Sequence, residues 1–288
     1  MNSPFFSVIT PVRNGSRFIH DYVSTLKQQT YQAWEAIVVD DDSSDQTYEQ
    51  LLQAIDHDSR FQIHRNDWNR SVAGPYQARN KALSLIKGNY VCFLDIDDQW
   101  LPDKLSLQAK EISRNSTLQL LYSSYYRFNQ SSSRLVLTRA TIFWPPQFWI
   151  SILNPIPMLT ACVRADAIQH IQFLPTNHED YLFWTAVLRR IRQDQIFVHI
   201  QALAIYRVSS QSLSSNKLKA ALWIYRCHRI EGKSRIFSAV VLLLRGFIYL
   251  IATLYHQLQS LCIMMRLCQP IVLKEIDQGL HFKDITYK

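Results

Sequence analysis

Tyr90-Val91-Cys92-Phe93-Leu94-Asp95-Ile96-Asp97-Asp98 is the stretch on which the fold turns. Its apolar opening is too short for a helix and reads as a buried strand, and aspartates follow at once. The same grammar recurs upstream. Ala33 to Val39 is an apolar run ending in Asp40-Asp41-Asp42, and Phe5 to Thr10 is another, ending at Pro11-Val12-Arg13-Asn14. Phe61 to His64 alternates like a strand. Helices are predicted between these strands. Ser16 to Gln29 carries Phe18, Ile19, Tyr22, Val23 and Leu26 at near-helical spacing. Asp45 to Ile55 has Asp45 in capping position and Glu49 early. Gln77 to Ile86 is closed by Gly88 just past its end. Strands alternating with helices imply an α/β fold with a doubly wound, mostly parallel sheet. Ligands of such sheets bind beyond the carboxyl ends of the strands, where the aspartates gather.

Composition bounds the rest. A chain of 288 residues holds one large domain, or a large one and a small one. With 48% hydrophobic and 19% charged residues it has material for a sizeable core, which excludes disorder. Six glycines exclude collagen-like and linker readings. Five cysteines with no C-x-x-C pair argue against a disulfide framework or a structural zinc site, and favour a reducing compartment. The N-terminus lacks a basic segment before an apolar stretch, so no signal peptide is expected.

An Asp-x-Asp at a strand end offers hard oxygen ligands to Mg²⁺ or Mn²⁺, which bridges to nucleotide phosphates. Capping of the next helix by Asp98 or Asp103 is the plainer role. Arg79 opens the helix between the two acidic strand ends, and its guanidinium suits a phosphate or a solvated face. His178-Glu179-Asp180-Tyr181 opens a further amphipathic helix. Carboxylates are favourable in a first helical turn, and one here also suits a general base. Gly232-Lys233-Ser234 fails as a P-loop because Cys227 stands at the required glycine. His178-Glu179 fails as a metalloprotease motif because Leu182 stands at the second histidine.

Together these segments resemble the family 2 glycosyltransferases, which have the GT-A fold. The likeness runs through Ser7 to Asn14, Trp34 to Asp45, Gly74 to Leu83 and Gly88 to Trp100, with Glu179-Asp180 as the later acidic pair. It covers roughly residues 5–215. Arg13 departs from a frequent tyrosine and Asp42 from a frequent glycine. The resemblance implies roles. Pro11, Arg13 and Asn14 shape the loop under the nucleotide, Asp40 or Asp41 holds the base, and Glu35 braces that loop. Arg79 lies near the diphosphate, Asp95 faces the ribose or sugar and shares the divalent cation, Mn²⁺ or Mg²⁺, with Asp97. Asp180, paired with Glu179, is the catalytic base, and a base without a protein nucleophile implies inversion. Trp100 faces an acceptor sugar ring or packs in the core. A nucleotide-sugar donor, most often a UDP-sugar, and a polysaccharide or lipid-linked glycan acceptor follow from the family.

The last quarter differs in kind. Residues 1–216 carry a net charge of +1 and residues 217–288 carry +7. Tyr206 to Lys217 resembles the link that follows the catalytic domain in this family, and its serine-rich run suits a boundary, dividing a catalytic domain, 1–215, from a basic helical extension, 216–288. Helices are predicted from Leu218 to Ile230 and from Ile236 onward. Phe237 to Tyr255 is almost wholly apolar, but Arg245 near its middle costs about 2.5–3.5 kcal/mol in lipid. A helix in the membrane interface, or one packed on the domain, is therefore favoured over a span. Arg226, Arg229, Lys233 and Arg235 just before it suit anionic headgroups. The expected location is the cytoplasmic side, peripheral on the inner face of the membrane. Two other readings compete. A nucleotidyltransferase also uses an Asp pair and a metal, but Glu179-Asp180 and the Trp34–Asp45 motif speak against it. A nucleic-acid-binding tail is disfavoured because its basic residues are not interleaved with aromatics, and no nucleic acid is expected.

Overall fold

The computed structural model describes residues 3–66, 75–129, 132–140, 146–208 and 217–264. Arg70, Gly74, residues 209–216 and residues 265–288 lie outside the described residues. The expected link starts too early: Tyr206 to Val208 are the last residues of a 13-residue strand.

Four strands set the first half: β1 (Phe6–Val12), β2 (Trp34–Asp40), β3 (Phe61–Arg65) and β4 (Tyr90–Phe93). They lie parallel in the order β3-β2-β1-β4. Helices α1 (Ile19–Lys27), α2 (Thr47–Ile55) and α3 (Tyr76–Leu83) connect them. The second half adds β5 (Gln99–Trp100), α4 (Lys104–Arg114), β6 (Leu120–Asn129), β7 (Arg134–Thr138) and α5 (Pro146–Leu153). It continues with β8 (Cys162–Arg164), α6 (Glu179–Leu188) and β9 (Ile196–Val208). Here β8 runs antiparallel to β4 and β6, and β9 lies parallel to β6. Consecutive strands leave β1 in opposite directions across the sheet. The crevice between the ends of β1 and β4 is thus the switch point at which doubly wound sheets bind ligands.

The two-residue period of the strands divides the core. Val8, Ala36, Cys92 and Leu94 pack on one face with residues of α1 and α4. Ile9, Ile37, Val91 and Phe93 pack on the other with residues of α3 and α6. Phe93 meets Phe173, Phe183 and Trp184 edge-on, and Phe173 stacks on Phe183 at 4.2 Å.

Gly88 does not close α3, which ends at Leu83 with Ser84 as its cap. A Cβ on Gly88 would lie 2.6 Å from both the Phe5 carbonyl oxygen and the Ser7 nitrogen. Only glycine lets the chain cross the start of β1 so closely.

The C-terminal region folds as α7 (Lys217–Ile230) and α8 (Arg235–Met264). Its inner side enters the protein: Cys227 joins the α3/α6 core, and Ile224, His228, Ser238 and Val241 are buried. The Tyr181 hydroxyl donates to Glu231 Oε2 at 2.7 Å, and Arg189 pairs with Glu231 Oε1 at 2.9 Å. The turn after α7 is thereby fixed to α6. Among the described residues no helix is long and apolar enough to cross a membrane.

Candidate active site

Arg79 is the hub of the crevice. Asp95 continues the Val91/Phe93 face of β4 by one further step of two, so its carboxylate faces α3. Arg79 Nη2 donates to both Asp95 oxygens, at 2.8 and 3.1 Å. Its Nη1 donates to Glu179 Oε1 at 2.6 Å. The guanidinium is buried above the Phe173 ring, 5.5 Å from its centre. Asn80, the next residue, fixes the far side: its amide donates to the Phe173 carbonyl and its oxygen accepts the Phe173 N–H, at 2.9 and 2.8 Å. That pair of hydrogen bonds brings the segment leading into α6 against α3, and Glu179 to Arg79. Sequence separations of 16 and 100 residues thus converge on one cation.

The flanking carboxylates differ in what holds them. Burial pushes the Glu179 carboxyl up, while Arg79 draws it down and Asp180 raises it. Asp180, half-buried, accepts from the Asn154 side-chain amide at 3.0 Å. Asn154 follows α5 in the left-handed region at φ 42°. No periodic signal in the sequence points to it, since the contact joins an isolated residue to one 26 positions away.

Asp97 is also half-buried; its carboxyl is raised by burial and by Asp95. Asp98 is fully enclosed, and its Oδ1 accepts the Arg207 N–H at 3.0 Å. Arg207 in turn donates to Asp21 at 2.8 Å, tying the end of β9 and α1 to the acidic loop. Asp95 and Asp97, two residues apart and both partly open, offer hard oxygen donors of the kind that suits Mg²⁺ or Mn²⁺. A pair leaves the remaining positions to water and phosphate oxygens, as Mg²⁺ prefers. Among the described residues no group of three or more protein ligands forms.

The loops after β1 and β2 are stapled together. The Asn14 N–H donates to Ser43 Oγ at 2.9 Å, and Asn14 Oδ1 accepts the Ser44 N–H at 2.8 Å. Asn14 and Asp42 take left-handed φ values of 50° and 59°, which Asn and Asp tolerate. Arg13 is exposed at the strand end. Pro11 is buried one step inside β1, opposite Val39. Asp40 is fully buried, and its Oδ1 accepts the Ser43 N–H at 3.1 Å, so it shapes the turn. Asp41 accepts from the Asn66 side chain at 2.9 Å, which makes Asn66 a residue of the site that its sequence context did not reveal.

Two expectations are corrected. Glu35 lies at the opposite end of β2 from Asp40, five residues of strand or about 16 Å away. Its carboxylate accepts from Ser7 Oγ, Gln62 Nε2 and the Lys87 N–H, so it braces the amino ends of the strands and not the nucleotide loop. Trp100 faces no ligand. It is fully buried, its indole N–H donates to the Leu159 carbonyl at 2.9 Å, and Lys104 Nζ sits 3.9 Å above the ring.

The model of glycosyl transferase family 2 matches residues 7–211, more than half of the chain and all of the strand ends described above. This chain belongs to glycosyltransferase family 2. Among its relatives, an uncharacterized glycosyltransferase of Haemophilus influenzae is 30% identical over 83% of this chain and 94% of its own length. The Escherichia coli UDP-Glc:alpha-D-GlcNAc-diphosphoundecaprenol beta-1,3-glucosyltransferase WfgD is 31% identical over 76% of this chain and 83% of its own. The fold is that of GT-A enzymes. S. aureus TarS, solved with UDP-GlcNAc, superposes with a TM-score of 0.64 at 22% identity, covering 84% of this chain and 71% of TarS. The Pyrobaculum calidifontis mannosyltransferase PcManGT, solved with GDP-Man and Mn²⁺, gives 0.61 at 15% identity, covering 94% and 82%. The nucleotidyltransferase alternative loses its motivation with the family fixed.

Proposed function

We propose that this family 2 enzyme moves a sugar from a UDP-sugar to a hydroxyl of a lipid-linked glycan, with inversion, at the inner face of the cell membrane. The convergence of Asp95, Glu179 and Arg79 beside Asp180 at the switch point carries the reading. The donor and acceptor classes are supported by the relative WfgD. Residues 1–215 are the catalytic domain in this reading, and 216–288 the extension that places it at the lipid surface.

The crevice assigns the parts. The loops joined by Asn14 and Ser44 receive the nucleotide, with Asp41 toward the base and Arg13 at the rim. Asp97 with Asp95 would hold a divalent cation, which neutralises charge developing on the diphosphate leaving group. Asp180 takes the proton from the acceptor hydroxyl. The freed oxygen forms its bond to the anomeric carbon on the face opposite the diphosphate. The old C–O bond breaks with its electron pair leaving on UDP, so configuration inverts. Glu179 is committed to Arg79 and orients the guanidinium, which leaves Asp180 as the base.

The test uses labelled UDP-sugars and a polyprenyl-diphosphate-linked acceptor, with and without Mn²⁺. Transfer is expected to need both substrates and to cease on chelation. Asp97→Asn is expected to abolish the Mn²⁺-dependent rise in UDP affinity while the melting temperature without ligand stays near wild type. Full metal dependence in that variant would remove Asp97 from the role.

A further inference from the structure

α8 turns opposite sides to the protein and to solvent. Ile236, Val240, Leu243, Phe247, Leu250 and Leu254 recur every three or four residues, which places them in one stripe along about five helical turns. Ile236 is 78% exposed and Leu243 75%. Leu244 and Ile251 widen the same face. Arg245, the charge whose cost argued against insertion, lies on the other side. Its Nη1 donates to the Ile152 carbonyl of α5 at 2.5 Å, so the stripe carries no charge.

The chain just before the stripe is basic. Arg226, Arg229 and Arg235 are exposed, and the exposed apolar residues Leu222 and Ile230 lie among them. Between 217 and 264 the chain has seven Lys and Arg residues against the single acidic residue Glu231, which Tyr181 and Arg189 already hold. An exposed apolar face preceded by exposed basic residues matches an anionic bilayer, in which side chains enter the acyl boundary and guanidinium groups meet headgroup phosphates. A paired helix in water is a poorer match. The positions flanking such a seam normally carry opposite charges, whereas here Ala239 and Gly246 lie on one flank and Leu244 and Ile251 on the other.

We propose that α8 lies flat in the headgroup layer of an anionic membrane on its Ile236–Leu254 stripe, as a monotopic anchor. The inference deepens the proposed function by naming the surface that meets the membrane, and rests on it for the use of that docking; the face itself is independent of the chemistry. Because α8 is tied through Arg245 to α5, and Asn154 at the end of α5 holds Asp180, the anchor and the crevice belong to one packed unit.

Flotation of the full-length protein with vesicles of phosphatidylglycerol and phosphatidylcholine tests this, with pure phosphatidylcholine as the neutral comparison. Wild type is expected to float with the anionic vesicles. L243E/F247E is expected to remain in the soluble fraction with an unchanged melting temperature and unchanged UDP affinity, since both positions face away from the core. Replacing Arg226, Arg229 and Arg235 with Gln is expected to weaken vesicle binding on the order of a hundredfold. Wild type failing to float, or L243E/F247E floating like wild type, overturns the proposal. So does a wild-type dimer in solution that L243E/F247E converts to monomer, which would assign the stripe to a second copy. Flotation without UDP binding would leave the anchor standing and remove the proposed function.

Discussion

Asp180→Asn is expected to lower the transfer rate by on the order of 10²–10⁴-fold, the range for loss of a positioned general base. UDP and UDP-sugar affinities should stay within about twofold, because the amide keeps size and shape and the nucleotide loops lie on other strands. The neighbouring carboxylate cannot take over. Glu179 is buried and spends an oxygen on Arg79 at 2.6 Å, whereas Asp180 is half-buried and held by a neutral amide. Stopped-flow or quench measurement of a single turnover separates the chemical step from product release. Near-normal single-turnover rates in the variant would move the proton transfer elsewhere.

Arg79→Met is expected to give the largest loss of stability, about 3–5 kcal/mol, the range for breaking a buried ion pair by removing one partner. The guanidinium is 5% exposed and bonds to two carboxylates at once. Removing it leaves Glu179 and Asp95 as uncompensated charges in a partly dry crevice. The pH dependence identifies the cause. Without Arg79 the Glu179 carboxyl, already pushed up by burial, rises further above its unfolded value. A carboxyl raised in the folded state contributes stability below its unfolded pKa and loses it as pH climbs through the folded one. The deficit of the variant should therefore shrink as pH falls from neutrality through the raised Glu179 value toward about pH 4.5. Urea unfolding at two pH values measures it. A deficit equal at both would point to lost packing on Phe173 in place of lost charge pairing.

The first half of the fold was legible because it is local. Strands Phe6–Val12, Trp34–Asp40 and Tyr90–Phe93 are short, mostly apolar runs, and a charged residue follows each within two positions. The helical pattern from Gln77 to Ile86 matches the start of α3 within one residue and overruns its end at Leu83 by three. Gly88 looked like a cap because a glycine after a helical pattern often is one. The close approach of Phe5 and Ser7 that demands it is a long-range contact with no local trace. Glu35 and Trp100 failed for the same reason. Each stands beside residues named correctly, yet strand length carried Glu35 to the far end of the sheet, and the packing of Leu159 and Lys104 closed over Trp100.

The site was legible as a set of residue types and not as a network. Aspartates at strand ends announce a crevice. Nothing in the sequence says that Arg79 would join Asp95 to Glu179, or that Asn154 would hold Asp180. Those contacts depend on the Asn80–Phe173 clasp and on how α5 meets α6. The apolar run at 237–255 posed a conflict through Arg245, which the helix resolves by turning that residue toward Ile152 and its stripe away.

The anomeric configuration of the product tests the central claim most directly. A UDP-sugar of α configuration is turned over with the lipid-linked acceptor, and the anomeric proton of the new glycosidic bond is read by NMR coupling. Attack by a hydroxyl deprotonated at Asp180, opposite the departing UDP, predicts a β linkage. An α linkage would require a covalent enzyme intermediate or front-face delivery, and would contradict the assignment of Asp180 as the base of a single displacement.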